Sequence, residues 1–337
     1  MTGPATQAER VGTVVATAGG VYTVEDQDGE RLDAFLRGRL KHRGDGGIDR
    51  AVVGDRVAFR LDGTQAVIEE VLPRRSLLVR RTRAGSRPRP VAANVDRMVV
   101  VMSLVRPRFR RDLLDRFLAL GEACGVEPVV VLNKTDLVGE KDLAGEKAAG
   151  EKDRAGEGRE SAGSEDGVES VGELRELYQG LGYEILLTSA VDGRGVEELR
   201  ARLTGRLTVF AGPSGVGKSE LLNALDPELR RRTRSVSTKG RRGRHTTVSA
   251  QLLDLEGDDR VVDTPGFTDA GLWGMDPDEL AACFPELREL QGECRFRRCT
   301  HRHEPGCRVL EGLEGEEVDR GRYASYVTFR EELEAVT

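Results

Sequence analysis

Four short segments of this 337-residue chain hold residue types suited to nucleotide chemistry. Residues 212–219 read "GPSGVGKS" and satisfy G-x-x-x-x-G-K-[ST], with a strand pattern before them and a helical pattern after. Gly212, Gly215 and Gly217 allow backbone N–H groups to approach phosphate oxygens. Lys218 suits the β- and γ-phosphates, and the Ser219 hydroxyl suits Mg²⁺. Pro213, Ser214, Val216 and Glu220 complete the run assigned to the nucleotide. "DTPG" at 263–266 ends another strand pattern. Asp263 is expected to hold Mg²⁺ through water, and the Gly266 N–H to sense the γ-phosphate. "NKTD" at 133–136 contributes Asn133, Lys134 and Asp136 to base selection. The Asp136 carboxylate accepts from guanine N1–H and from its exocyclic amine. Adenine lacks that donor pair and leaves the carboxylate unpaired, a mismatch that discriminates steeply. "TSA" at 188–190 adds Ser189 and Ala190, with the Ala190 N–H expected to reach guanine O6.

The order of these segments is unusual. In most GTPases the phosphate loop precedes the base reader; here "NKTD" lies well upstream of Gly212. A circular permutation explains this, because chain ends in compact domains often lie close together. It also moves the nucleotide-sensing segments to the C-terminal side, so the chain leaves "DTPG" and soon enters the last domain. A switch that moves on hydrolysis is then expected to reposition that domain directly.

That last domain reads "CRFRRCTHRHEPGC". Cys294, Cys299, His301 and Cys307 form C-x4-C-x-H-x5-C, enough for a closed, tetrahedral and hence structural Zn²⁺ site. His303 is the alternative to His301. Cys124 and Cys283 stand apart and read as core cysteines.

These segments need elements to position them. Residues 94–269 alternate strand and helix patterns, which predicts a parallel sheet covered on both faces in an α/β P-loop domain. Residues 1–82 show short strands at 11–73 separated by Gly- and Asp-rich turns. They predict a β-barrel of the OB type, a fold that either binds nucleic acid or serves structure alone. Residues 83–93 read as a linker, and 270–337 as a mostly helical zinc-binding domain. Residues 139–173 repeat a Gly-Glu-Lys unit and read as a disordered acidic insertion, with eleven acids against five bases.

The overall net charge of −6 conceals two acid-free basic stretches. Residues 73–90 carry seven arginines, and 229–247 carry eight Lys or Arg. Such patches suit a polyanion. No apolar run is long enough for a membrane span, and "MTGPATQAER" lacks a signal-peptide pattern. A cytoplasmic protein with no membrane partner, probed by reduced thiols rather than disulfides, is therefore expected.

Taken together, base readers ahead of the phosphate loop, an N-terminal barrel and a terminal Cys3His pattern resemble the ribosome small subunit-dependent GTPase A (RsgA, or YjeQ) family. "KGRRGRHTT" at 239–247 resembles that family's switch segment, and "FPE" at 284–286 a further landmark. The resemblance spans nearly the whole chain except 139–173. It implies a monomeric GTPase, using Mg²⁺ with GTP and converting it to GDP. It also implies binding to the small ribosomal subunit and its rRNA late in maturation, with the barrel contacting that RNA. The alternative is an RNA-binding module in which hydrolysis serves only release. Glu220 departs from the family's small polar residue, and Val248 from a third threonine. Thr246 is assigned as the Mg²⁺-binding switch threonine, with Thr247 as alternative. Phe267 occupies the position where Ras-like enzymes place a water-orienting Gln. His245 is by resemblance the catalytic residue that replaces it, its other role being a phosphate contact beside Arg241, Arg242 and Arg244.

Overall fold

The computed structural model describes residues 10–37, 50–80, 89–139, 143, 170–229, 248–255, 259–263, 271–272 and 275–335. His245, Thr246, Thr247, Gly266 and Phe267 lie outside the described residues, as do most of the 229–247 basic stretch and most of the 139–173 insertion.

The first five strands are β1 (Arg10–Ala18), β2 (Val21–Asp26), β3 (Arg31–Leu36), β4 (Arg56–Asp62) and β5 (Gln65–Val71). Every second side chain points inward, and Val14, Val24, Ala34, Phe59 and Ile68 fill a closed core. The order β1-β2-β3-β5-β4 closes through β1–β4 pairing, with β3 and β5 parallel. This is the expected five-stranded barrel. A hairpin of β6 (Leu77–Arg80) and β7 (Arg89–Ala93) follows. Residues 89–93, read from the sequence as the end of a linker, are thus paired strand.

The central sheet contains β8 (Arg97–Ser103), β9 (Glu127–Asn133), β10 (Glu184–Leu187), β11 (Leu207–Ala211), β12 (Val248–Asp254) and β13 (Arg260–Asp263). Its helices are α1 (Arg111–Cys124), α2 (Val171–Gly180), α3 (Val196–Leu203) and α4 (Lys218–Leu225). The order is β10-β9-β8-β11-β13-β12. All neighbours are parallel except β12 and β13, which are antiparallel. The sheet is therefore mixed rather than wholly parallel. The connection between β12 and β13 is too short to carry a crossover helix, so the chain turns back on itself. Met98, Val100 and Met102 pack with Leu114, Phe117 and Leu118 on one face, while Val99 and Val101 pack with Leu199, Leu221 and Leu225 on the other. Ser170 caps α2 and exchanges hydrogen bonds with Glu173 in a capping box, so the end of the acidic insertion is helix rather than loop.

The C-terminal domain is mostly helical: α5 (Pro285–Leu290), α6 (Arg308–Glu314) and α7 (Arg320–Glu334), with 3₁₀ turns at Pro277–Cys283 and Gln291–Glu293. Phe284, Tyr326, Phe329 and Leu333 share one continuous core with Leu114 and Phe117 of α1. Each such buried side chain contributes about 1.5–3 kcal/mol. Among the described residues no helix is long and apolar enough to cross a membrane.

Both outer domains are joined to the central domain, one through its sheet and the other through α1. Strand β1 pairs antiparallel with β12, Ala16 opposite Gln251 and Thr17 opposite Ala250, so barrel and central domain share one eleven-stranded sheet. On the other side a charge cluster is buried between α1 and the C-terminal domain. Arg322 donates to Asp115 at 2.8 Å and to Glu286 at 2.8 and 3.2 Å. Tyr178 and Ser325 hydroxyls also donate to Asp115, each at 2.6 Å. The Arg322 guanidinium lies 4.6 Å from the centre of the Phe284 ring. Burial, followed by the Asp115 charge, pushes the Tyr178 hydroxyl well above its ordinary range.

Candidate active site and metal centre

"NKTD", "TSA" and the phosphate loop lie at the C-terminal ends of β9, β10 and β11, and Asp263 at the C-terminal end of β13, so all four sites lie along one side of the sheet. In open α/β sheets that side is where ligands bind. The phosphate loop departs from β11, between β8 and β13. Gly212 has φ 135° and Gly217 φ 98°. A Cβ at Gly212 would lie 2.2 Å from the Val101 carbonyl oxygen, and one at Gly217 2.3 Å from Asn133 Nδ2. Both positions therefore require glycine twice over, for backbone conformation and for space. Lys218 begins α4 and its ammonium donates to the carbonyls of Gly212 (2.7 Å) and Pro213 (2.8 Å). Burial lowers its pKa, opposed by the nearby Glu220 carboxylate. Ser214, Gly215, Ser219 and Glu220 are exposed at the loop surface, while Val216 is buried beneath it.

Asn133 ties the base segment to the phosphate loop. Its side chain is buried; Nδ2 donates to the Val216 carbonyl at 2.9 Å, and Oδ1 accepts from the Thr188 hydroxyl at 3.1 Å. Thr135 donates to the Thr188 carbonyl through both N–H (3.1 Å) and hydroxyl (3.0 Å). Lys134, at φ 64°, sends its ammonium to the carbonyls of Arg106 (2.6 Å) and Gly215. Asp136 is exposed and accepts from the Ser189 hydroxyl at 2.8 Å. Ser189 in turn accepts from the N–H groups of Val191 and Asp192, each at 3.3 Å. The structure thus brings Asn133, Lys134, Asp136, Ser189, Ala190 and the 212–220 run together. Asp136 is held in place without being buried, which leaves it able to take a purine edge. Asp263 ends β13, exposed, with Gln251 Nε2 at 3.4 Å.

Two contributors were not picked out from the sequence. Thr188 was visible only as the first letter of "TSA". The loop from Val105 to Arg110, which carries Arg106, fits no motif at all.

The three thiols and one imidazole of the C-terminal pattern also converge. Ligand atoms of Cys294, Cys299, His301 and Cys307 all lie within 4.8 Å of one another. Cys294 Sγ is 3.9 Å from Cys307 Sγ and 3.6 Å from His301 Nδ1, which is 3.4 Å from Cys307 Sγ. A tetrahedral set with metal–sulfur and metal–nitrogen distances of about 2.3 and 2.0 Å has edges of about 3.8 and 3.5 Å. The cluster can therefore hold a metal ion. His301, not His303, belongs to it; His303 is exposed. His301 sits at φ 57°, and Tyr323 donates to its carbonyl at 2.7 Å. Burial holds its ring toward the neutral, ligating form. Burial pushes the Cys299 thiol up to about 12, and a bound cation supplies the charge that favours the thiolate.

The basic stretches divide differently from their sequence appearance. Within 73–90, Arg74 makes a two-pronged pair with buried Asp55 (2.7 and 2.8 Å), and Arg75 pairs with Asp96 at 3.0 Å. Arg74 is thereby tied to a buried carboxylate and serves the fold, while Arg75 makes a surface pair. By contrast, Arg295, Arg297 and Arg298 are exposed, with no ion-pair partner among the described residues. They flank Phe296, 45% exposed, on the loop that Cys294 and Cys299 pin at both ends.

The sequence profile of the RsgA GTPase family matches residues 71–158 and 160–273. The small ribosomal subunit biogenesis GTPase RsgA of Gemmatimonas aurantiaca is 41% identical over 326 residues, covering 96% of this chain and 97% of the relative. The protein of the same name from Moorella thermoacetica is 40% identical, covering 96% and 97%. Among solved structures, YjeQ from Thermotoga maritima superposes with a TM-score of 0.73 at 37% identity, covering 97% and 99% of the two chains. YloQ, described as a circularly permuted GTPase, gives 0.71 at 28% identity, covering 100% and 99%.

Proposed function

This chain belongs to the RsgA GTPase family and hydrolyses GTP, and from that premise we propose that it does so on the small ribosomal subunit, late in that subunit's maturation. The single observation that carries the nucleotide reading is the link Val216–Asn133–Thr188. It joins phosphate loop, base reader and "TSA" segment into one site despite their rotated order. In this reading Asp136 takes guanine N1–H and the exocyclic amine, with Ser189 fixing the carboxylate and the Ala190 N–H meeting O6. Backbone N–H groups of 212–219 cradle the phosphates, and Lys218 turns from the loop carbonyls to the β- and γ-phosphates. When bound, Mg²⁺ would supply positive charge to the β- and γ-phosphate oxygens. Ser219, Asp263 and Thr246 are its proposed holders, Gly266 senses the γ-phosphate, and His245 orients water.

Residues 1–82, 94–269 and 270–337 form the barrel, GTPase and zinc-binding units of this proposal, and Zn²⁺ is the ion of the Cys3His cluster. The protein acts in the cytoplasm as a monomer. The Arg295–Arg298 loop supports contact with rRNA, because unpaired guanidinium groups suit phosphate and an exposed ring suits an unpaired base. The test is GTP turnover against small-subunit concentration at two ionic strengths. Expected are slow hydrolysis by the free protein and strong stimulation that falls steeply with salt. Equal rates with and without subunits would overturn the coupling.

A further inference from the structure

The loop between β8 and α1 adjoins the nucleotide site through its backbone, and its arginine side chains have no role in the scheme of the nucleotide motifs. Its backbone is fixed there. Lys134 donates to the Arg106 carbonyl at 2.6 Å and also to Gly215 of the phosphate loop. A Cβ placed on Gly215 would meet Pro107 Cδ at 3.9 Å. The turn is closed by Arg106 N–H to Ser103 Oγ (3.2 Å) and Phe109 N–H to the Leu104 carbonyl (3.4 Å). The sequence here is Arg-Pro-Arg-Phe-Arg-Arg, from 106 to 111. Two of its four arginines are committed: Arg110 pairs with Asp112, and Arg111 with Asp319. Arg106 and Arg108 flank Pro107, are exposed, and have no ion-pair partner among the described residues.

We propose that Arg106 and Arg108 present guanidinium charge to the β- and γ-phosphates over the Gly215 turn, so that this chain supplies its own arginine to phosphoryl transfer. In the step itself water forms the new bond to the γ-phosphorus, and the bond to the bridging oxygen of GDP breaks. The arginine neither gives nor takes a proton; it stabilises negative charge growing on the bridging and equatorial oxygens. Arginine in that role contributes where charge develops rather than where substrate is merely held. A surface pair beside the phosphate loop, on a backbone held by Lys134 and with no ion-pair partner among the described residues, is the arrangement such a role requires.

The inference rests on the triphosphate lying in the 212–219 loop, and one control tests that separately. Lys218→Ala should lose GTP and GDP binding; if it binds both like the parent protein, the loop assignment itself is wrong. The proposal is tested with the full chain on saturating small subunits. In single-turnover assays the Arg106→Ala/Arg108→Ala variant should hydrolyse GTP about 10³-fold more slowly, the lower end of what such an arginine supplies. GTP and GDP affinity should stay within about threefold, and binding of GDP with aluminium fluoride should be lost. The single variants assign the effect to one arginine or both. Arg106→Lys/Arg108→Lys keeps the charge and the exposed surface but not the planar fork, and should recover only part of the rate. An unchanged rate overturns the proposal. So does a rate restored by excess subunit, which would make these arginines RNA contacts, or an equal loss of GTP and GDP binding.

Discussion

The central GTPase domain is joined to its two neighbours by opposite kinds of contact. The barrel is attached by a strand pair, β1 to β12, with a ring of charges at its rim. Arg31 of the barrel pairs with Asp254 of the central domain, and Arg260 of the central domain with Glu25 of the barrel; within each domain Arg31–Glu25 at 2.9 Å and Arg260–Asp254 at 3.0 Å complete the ring. The arginines of that ring are about a third to a half exposed. The zinc-binding domain is attached through a core, with Arg322, Asp115 and Glu286 all buried inside it. Rim charges in water are worth little and re-form readily. Buried ones tolerate one arrangement. The contrast predicts that movement of the switch segment is taken up at the barrel joint rather than at the zinc-binding domain. Strand β12 begins directly after the switch segment, whereas α1 carries none of the nucleotide motifs. The zinc-binding domain packs on α1, and residues 264–270, which lead from "DTPG" toward it, lie outside the described residues.

Three substitutions sharpen or break this contrast. Arg322→Met should cost the most, about 3–5 kcal/mol, because it strands two buried carboxylates. Denaturant unfolding reads it directly; a loss under 1 kcal/mol would show that the buried joint is no firmer than the exposed one. Gly54→Ala comes next, at about 1–3 kcal/mol. Gly54 has φ 87°, and a Cβ there would sit 2.1 Å from the Ala93 carbonyl and 3.1 Å from Leu207 of the central sheet. A variant melting like the parent would mean that the barrel seats loosely on the sheet. Smallest is Arg31→Ala, about 0–1 kcal/mol at low salt and vanishing at high salt. A large, salt-insensitive loss would make the rim ring a structural lock and remove the contrast.

Much of this was legible in the sequence. Short strand-like runs separated by Gly- and Asp-rich turns along residues 11–73 marked the barrel, since tight turns restrict residue type. The phosphate loop, "NKTD" and the Cys3His spacing were legible because their chemistry restricts residue type at fixed intervals. The joints were not. Asp115 and Arg322 lie 207 residues apart and each reads as an ordinary polar position on a helix. Pairing of β1 with β12 leaves no local mark, because backbone groups make it and any side chain permits it. Arg74 and Arg75 looked like part of a polyanion patch for the same reason: their carboxylate partners are distant in the chain.

Strand β12 has a consequence for how the molecule can be taken apart. In the whole chain, β1 covers its outer side. The natural free edge of the sheet is β10, only four residues long and guarded by the Glu184–Arg202 pair. Cutting away the barrel would expose the Val248–Gln251 part of β12 that β1 pairs, leaving the strand Val248–Asp254 as a bare edge. Unpaired N–H and C=O groups along such an edge are a template for pairing with another copy. The barrel thus also acts as a guard against self-association, and an excised GTPase domain is a poor stand-in for the protein even where its nucleotide site is complete.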